Sequence, residues 1–284
     1  MVAADDNPLS PHYYRDNFLR LCETVETQYG DIFSEAEQQA LQGFRALPFA
    51  GQCLYVRLIS RTGPWFRESK LKYPEISSLH EVLEELVQQG LLAVAAELSL
   101  EELAKLYTRA ELQTIFARHL PAGTPTDKNA LLQSIHLLSK SDKELFAAIS
   151  ALDGGRIVAP LGRDLVEKLQ LLFFGNRHQS LTDFVLQDLG VARYFPYPLD
   201  RQHRLFSCRA AVEEYLALAA LSDSHYELLE QGEMVPLAAL AQQVLAQSPQ
   251  FSSSEGRWPK LCNRLARDLE RLQAWDLALQ LYAA

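Results

Sequence analysis

The sequence predicts a mainly α-helical protein. Apolar residues recur every three or four positions along most of the chain, as they do on the buried face of a helix. The pattern of a helix-opening capping box, Ser or Thr followed three residues later by Glu, occurs at Ser34, Ser78, Ser99 and Thr108. With 284 residues, 48% of them hydrophobic, the chain is long enough for one large domain or two to three small ones.

The first part of the chain has the pattern of three helices followed by a break. The helices are expected from Tyr14 to Tyr29, from Ser34 onward, and from Leu54 to Arg61. Gly63-Pro64 then interrupts the helical periodicity, because proline cannot continue a helix. The residues beyond it predict a short strand or loop that is rich in basic and aromatic side chains.

A fourth helix and a returning strand complete this region. Ser78 is expected to open the helix, Gly90 to close it in the left-handed conformation, and residues 91–94 to form the strand. Three helices, a ribbon, another helix and a short strand resemble a variant winged helix-turn-helix domain. We place this winged-helix-like domain at residues 1–97.

The next segment has the pattern of a small helical hairpin. The capping boxes at Ser99 and Thr108 open two short helices, the loop 121–126 follows, and a further helix is expected over 127–136. This is the size and pattern of a SAP motif, a small DNA-binding hairpin, and an ordinary helical hairpin has the same spacing. We place the SAP-like domain at residues 98–150 and a helical connecting region at residues 151–245.

Basic residues are concentrated in one part of an otherwise acidic chain. The net charge of −9 argues against a general binder of polyanions, so any contact with DNA must be local. Residues 51–75 contain five cationic residues against two acidic ones. We predict that they bind DNA phosphates, with a solvated, salt-bridged surface as the alternative. They are Arg57, Arg61, Arg67, Lys70 and Lys72.

Four further residues are candidates for the same interface. Trp65 is expected either to stack on an exposed base or to pack in a core. Tyr107, Arg109 and Lys128 lie near the start and the loop of the SAP-like hairpin. A helix N-terminus there would donate backbone N–H groups to a phosphate, and simple helix capping is the alternative.

Other kinds of site lack their sequence patterns. The four cysteines form no C-x-x-C pair, which speaks against a zinc site and indicates a reducing compartment. No H-E-x-x-H, P-loop or nucleophile-elbow motif occurs, so we predict no catalytic and no metal-binding residue in this chain. Without a signal peptide or an apolar run long enough to span a membrane, we expect an intracellular protein with no membrane partner.

Several longer runs carry a resemblance to a known family. They are "YYRDNF", "GQCLYVRLISR", "SKLKY", "LLFF", "LTDFVLQDLGVARYFPY" and "RLFSCRAAVEEYLALAALSD", in this order. Together with the SAP-like hairpin they resemble the N-terminal half of the Fanconi-associated nuclease family. The resemblance implies a winged-helix-like DNA-binding region, a SAP domain, TPR-like helical repeats and a C-terminal VRR-NUC nuclease domain. The run that begins "GRWPKLCNRLARDLERL" resembles the start of the repeats, which we place at residues 246–284.

The resemblance also implies a function and partners. It implies structure-specific DNA binding by this region of a metal-dependent 5′-flap endonuclease and 5′–3′ exonuclease of the phosphodiesterase I type, acting in interstrand-crosslink repair with Mn²⁺ or Mg²⁺. The expected partners are branched or 5′-flap DNA, the protein's own C-terminal nuclease domain and a second copy on the same DNA, in the cytoplasm, nucleoid or nucleus.

The motif of the nuclease centre is missing from this sequence. A Pro-Asp followed by an acidic-x-Lys triplet, which would hold the metal, does not occur in it. We therefore expect this chain alone to be non-catalytic and to need no cofactor. The alternative function is a helical scaffold for protein–protein contacts that binds no DNA.

Overall fold

The structure is a computed structural model, and it describes residues 10–117, 120, 127–138, 141–179, 181, 200–231 and 234–284. In these residues the prediction of a mainly α-helical protein is confirmed. The helices are Tyr13–Tyr29 (α1), Glu35–Ala46 (α2), Phe49–Ile59 (α3), Leu79–Gln88 (α4), Leu100–Leu106 (α5), Arg109–Phe116 (α6), Lys128–His136 (α7), Asp142–Asp153 (α8), Arg163–Phe174 (α9), Arg209–Gln231 (α10), Met234–Leu245 (α11), Ser252–Glu255 (α12), Trp258–Arg271 (α13) and Trp275–Ala283 (α14). The strands are Phe66–Arg67 (β1), Leu92–Val94 (β2) and Ile157–Pro160 (β3).

The chain divides into two compact units. The first, here called the winged unit, contains the described residues up to 24 and from 35 to 181. The second, called the helical unit, contains residues 25–34 and the described residues from 200 to 284.

Helix α3 is almost entirely buried in the winged unit. It begins at Phe49, five residues before the predicted start at Leu54. Gly51 and Gln52 interrupt the apolar pattern in its first turns, yet both are buried. The Gln52 amide donates hydrogen bonds to the carbonyls of Arg45 and Leu47, so this polar group is satisfied inside the core. The helix can therefore begin earlier than the apolar periodicity indicates.

The predicted ribbon and returning strand both form, and a third strand joins them. The strand order is β1-β3-β2, and β3 is antiparallel to both of its neighbours. Val158 lies opposite Phe66 on one side and opposite Val94 on the other. Since β3 follows α5 to α8 in the chain, the SAP-like helices are inserted between two paired strands of the wing. The sheet thus uses residues beyond the boundary predicted at 150.

The signals at the ends of α4 are confirmed at one end only. The helix begins directly after Ser78, but the Ser78 side chain makes no capping hydrogen bond, and its backbone has φ −125° and ψ 66°. The predicted capping box is therefore wrong, because this conformation does not aim the hydroxyl at the first turn. At the other end Gly90 has φ +70°, as the left-handed closing position requires.

The SAP-like helices pack around a core of their own. The capping boxes at Ser99 and Thr108 are formed, and a third that was not predicted opens α8 at Ser141. The core also includes Ile157 of strand β3, so the hairpin and the sheet share buried apolar surface. Its other buried residues are Leu98, Leu103, Tyr107, Leu112, Phe116, Leu131, Ile135, Leu145 and Ile149. The predicted loop 121–126 lies outside the described residues.

The helical unit is built around α11, α13 and α14. Leu237, Leu261, Leu265 and Leu281 are among the residues of its core, and each is at most 3% exposed. Helices α13 and α14 pack closely on each other in the segment predicted to start the TPR-like repeats. The assignment of these helices to TPR-like repeats, and the four predicted domain boundaries, stay predictions.

Candidate nucleic-acid interface

Arg57 lies in the last turn of helix α3, and Arg61 follows two residues after the end of that helix, close to the ribbon. The guanidinium of Arg57 lies over the ring of Tyr14, 3.9 Å from its centroid. Its Nη2 donates to Oε1 of Glu75 at 2.9 Å, and the Tyr14 hydroxyl donates to the same oxygen at 3.2 Å. Burial raises the pKa of Tyr14, so its hydroxyl stays a neutral donor. Arg57 is thereby held in one orientation by a carboxylate and a ring.

Arg61 is exposed and lies among aromatic groups. Its Nη1 donates to the hydroxyl of Tyr73 at 3.1 Å, and its guanidinium lies 4.9 Å from the ring centroid of Phe66. Arg163 of α9 donates to the carbonyls of Arg61 and Gly63, which satisfies backbone groups beyond the end of α3. The end of the helix is fixed in this way while the charge of Arg61 remains open to solvent.

A cavity of about 360 Å³ lies beside these arginines. Arg57, Arg61 and three tyrosines line it, so its wall combines cationic and aromatic groups. Such a wall suits an anionic partner that carries rings or a sugar-phosphate backbone. The lining residues are Tyr13, Tyr14, Val56, Arg57, Ser60, Arg61, Tyr73 and Leu181.

Arg67 of the ribbon is buried, with only 6% of its side chain exposed. Its Nη1 donates to Oε1 of Glu111 at 2.9 Å, and its guanidinium lies over the ring of Tyr107, 3.8 Å from the centroid. Tyr107 is itself buried. Arg67 and Tyr107, both predicted to bind DNA, therefore join the ribbon to the SAP-like helices in this structure.

Lys70 and Lys72 extend the ribbon toward solvent. The Nζ of Lys70 lies 3.0 Å from Oε1 of Glu111, and 61% of its side chain is exposed. Lys72 is exposed as well, and the structure shows no ion pair between it and a described residue. These two ammonium groups and Arg61 are the predicted cations that remain accessible to a partner.

Glu111 connects the ribbon to the first turn of α6. Its Oε2 accepts from the backbone N–H of Thr108 at 2.8 Å, while its Oε1 accepts from Arg67 and Lys70. The Thr108 N–H, followed by Lys70 and Arg67, lowers the pKa of Glu111 to about 2, although partial burial acts the other way. The carboxylate is therefore ionised at neutral pH and holds both cations.

Trp65 and Lys128 also make contacts within the fold. Trp65 packs against the SAP-like core, and its Nε1 donates to Oε1 of Glu102 at 3.3 Å. The Nζ of Lys128 donates to the carbonyls of Ala104 and Tyr107, at 2.6 and 2.9 Å, which are terminal acceptors of α5. Of the two alternatives for Trp65, core packing describes the contact present here. At the start of α6, Thr108 forms a capping box with Glu111, as the capping alternative expected.

Arg109 lies in the first turn of α6, as predicted. One of its guanidinium nitrogens, Nη2, donates to Gln113 at 3.1 Å, while its buried Nε has no hydrogen-bond partner among the described residues. The structure therefore places Arg57 and Arg61 close together, and it groups Arg67 with Lys70 and Tyr107. Arg109 and Lys128 stand on separate helices of the SAP-like hairpin.

Sequence reasoning missed the tyrosines of the cavity and Arg163. The run "YYRDNF" contains Tyr13 and Tyr14, and "SKLKY" ends at Tyr73, but apolar periodicity assigns such rings to a core. Arg163 lies 102 positions from the carbonyl of Arg61 that it binds, and no local pattern predicts that contact.

Neither a metal site nor a membrane span is found in the described parts of the chain. They contain no group of three or more His, Cys, Asp or Glu side chains that could hold an ion. Among the same residues, no helix combines the length and the apolar character needed to cross a bilayer.

Comparisons with known proteins agree with the winged and SAP-like elements. The domain family described as "FAN1, HTH domain" matches residues 12–93, and "Fanconi anemia-associated nuclease SAP domain" matches residues 97–145. These matches confirm the predicted helix-turn-helix and SAP elements.

Two curated relatives match 96% and 74% of the chain. The Fanconi-associated nuclease 1 homolog of Pseudomonas aeruginosa is 33% identical over 273 residues, which is 96% of this chain and 47% of the relative. The homolog of Arabidopsis thaliana is 28% identical over 222 residues, 74% of this chain and 25% of the relative. The chain thus spans about half the length of the bacterial relative and a quarter of the plant one.

Solved structures show the same architecture. A crystal structure of paFAN1 bound to 2-nucleotide 5′-flap DNA with a gap matches with a TM-score of 0.84 and 30% identity, covering 96% of this chain and 49% of that one. Its counterpart with 1-nucleotide 5′-flap DNA has a TM-score of 0.81 at the same identity. With its two domains and these relatives, the chain belongs to the Fanconi-associated nuclease family and corresponds to that family's N-terminal region.

Proposed function

We propose that this chain binds branched DNA through the phosphate backbone, and that the winged unit carries the contact. One observation carries the proposal: exposed Arg61 lines an aromatic cavity in a chain whose net charge is −9. Accessible cations gathered in one place suit a shape-recognising binder, since phosphate contacts position a protein without reading sequence. The similarity to paFAN1, whose structures contain 5′-flap DNA, supports the same partner.

In this proposal the accessible cations contact phosphate. Arg61, Lys70 and Lys72 are exposed, and each lies on the end of α3 or on the ribbon. Arg109 is a further candidate, because it lies in the first turn of α6, where backbone N–H groups favour an anion.

The remaining predicted residues hold these cations in place. Arg57 is fixed by Glu75, and Arg67 is fixed by Glu111 and Tyr107. Trp65 holds the ribbon against α5 through its hydrogen bond to Glu102. Lys128 binds carbonyls at the end of the same helix. Their substitution would weaken DNA binding by displacing the accessible cations, and it would also lower stability.

We infer that the complete protein uses this binding to place a nuclease. The proposal comprises 5′-flap cleavage and 5′–3′ exonuclease action in interstrand-crosslink repair, with Mn²⁺ or Mg²⁺ held by a C-terminal nuclease domain. It also includes an intracellular location and a second copy on the same DNA. The relatives' printed names as nucleases and the share of their length that this chain spans support it. No residue described here takes part in the metal chemistry.

The test is direct binding of the folded chain to labelled DNA. Fluorescence anisotropy should show tighter binding to a 5′-flap junction than to plain duplex of the same length, at one salt concentration. Sedimentation of the same complexes reports whether one or two copies bind each junction. If the folded chain binds neither DNA, the proposal fails and the protein-binding scaffold is the better description.

A further inference from the structure

A row of cationic residues follows one face of helix α13 in the helical unit. Its members are separated by four, three and four positions, the spacing of neighbours on one side of an α-helix. All four are exposed. They extend over roughly 16 Å of helix axis. We call Lys260, Arg264, Arg267 and Arg271 the cationic row.

The opposite face of α13 is buried, and this fixes the rotation of the helix with the cationic row toward solvent. Leu261, Leu265 and Leu269 belong to the core of the helical unit and are at most 3% exposed. Rotating the helix would expose these side chains, and each buried leucine contributes roughly 1.5–3 kcal/mol through burial. The row is therefore presented to solvent by a rigid support.

The row differs from several other arginines of the chain in its partners. Arg67, Arg156 and Arg204 are paired with carboxylates. Within the part of the chain that the structure describes, the only ion pair of the row joins Arg271 to Asp268 at 2.8 Å. Most of the charge of the row is therefore available to an external anion, although the chain has 36 acidic and 27 basic residues.

Exposed tyrosines accompany the row. Arg264 donates to the hydroxyl of Tyr226 at 2.8 Å, and Arg267 interacts with the hydroxyl of Tyr282. Tyr226 is 52% exposed and Tyr282 44% exposed. Glu270 beside the row accepts from the Tyr282 hydroxyl at 3.0 Å. The guanidinium groups of arginine and the hydroxyl groups of tyrosine are both common hydrogen-bond donors to DNA phosphates.

We propose that the cationic row is a second phosphate-binding surface and that its partner is the DNA backbone. Each strand of duplex DNA carries phosphates at regular short intervals, so a row of roughly 16 Å is long enough to reach more than one of them. The inference rests on the proposed DNA binding, and it adds a contact by the helical unit. Repeated charge of one sign along a line is complementary to a polyanion rather than to a single small anion.

The test compares two variants with the same change in net charge. Arg264→Gln combined with Arg267→Gln removes two charges from the row and keeps good helix formers. Arg201→Gln combined with Arg209→Gln removes two charges from the helical unit outside the row. The readout is the slope of log affinity against log salt for 5′-flap DNA. We expect the row variant to lose about 1.8 from the magnitude of the slope, about 0.9 for each lost phosphate contact, and the control to lose none.

Three outcomes decide the inference separately from the proposed function. A row variant with the wild-type slope overturns it, and a changed slope for Arg61→Gln would then leave the winged-unit proposal intact. Equal changes in row and control variants also overturn it, because net charge would then explain them. If the first variant melts at a lower temperature than wild type, Lys260→Gln combined with Arg267→Gln provides the same measurement. The expected loss in the magnitude of the slope is the same.

Discussion

Arg67 and Arg61 lie six positions apart, and the first is buried whereas the second is exposed. Arg67 is covered by Tyr107 and bound to Glu111, whereas Arg61 is open to solvent beside a cavity. A guanidinium that is buried and paired stabilises a fold, and one that is exposed is free to bind. The two residues should therefore separate stability from binding.

Arg67→Ala should lower the free energy of unfolding by roughly 1.5–3 kcal/mol, because it removes hydrogen bonds to a charged group and uncovers Tyr107. Arg61→Ala should change it by less than about 0.5 kcal/mol. Urea unfolding of both variants measures the difference. Equal losses for the two would contradict the division of roles.

Glu111 should make the winged unit sensitive to acid. Its pKa is lowered from the ordinary 4.5 to about 2, so the charged carboxylate contributes stability above about pH 4.5. That contribution is lost as the pH falls through about 2. Glu111→Gln retains a capping-box residue but removes the charge.

Urea unfolding of wild type and Glu111→Gln at about pH 6 and about pH 3 tests this linkage. Wild type should be the more stable protein at the higher pH, and the difference should shrink at the lower one. A difference that stays constant with pH would show that the charge of Glu111 does not stabilise the fold.

The elements of the winged unit depend on contacts between distant segments. Strand β3 lies between β1 and β2, and the chain enters α9 from it through Gly162. Gly162 has φ +84°, and a Cβ there would lie 3.0 Å from the hydroxyl of Tyr55. That hydroxyl donates to the carbonyl of Leu161 at 2.7 Å, so little movement is available to it.

Gly162→Ala should destabilise the protein by about 1–3 kcal/mol, through its left-handed backbone and the close Tyr55 hydroxyl. Gly43→Ala is the matched control. It lies in α2 with no atom near the added methyl group, and it should stabilise by about 0.5–1 kcal/mol. Thermal melting of both variants shows whether each substitution raises or lowers the stability. A stabilising Gly162→Ala would refute this account of the turn.

Local signals predicted the elements well, and long-range contacts escaped them. The capping boxes at Ser99 and Thr108 and the left-handed Gly90 were predicted because each depends on residues within one helical turn. The place of β3 between two strands was not, since its partners lie 64 or more positions away. The same limit applies to Arg67 of strand β1, whose ion pair is with Glu111 of α6, 44 positions away.

At the scale of the whole molecule, two groups of exposed cations among the described residues are proposed to bind DNA phosphates. One consists of Arg61, Lys70 and Lys72 in the winged unit, and the other is the cationic row of α13. The concentration of basic residues at 51–75 predicted the first from sequence. The second became visible only when the structure showed which face of α13 is buried.

The central claim, that the winged unit holds DNA by its phosphates, is tested most directly by Arg61→Gln combined with Lys70→Gln. Binding to 5′-flap DNA is measured over a range of salt concentrations, on variants whose melting matches that of wild type. The double variant should bind more weakly, and the magnitude of its slope of log affinity against log salt should fall by about 1.8. Wild-type affinity together with an unchanged slope would contradict the claim.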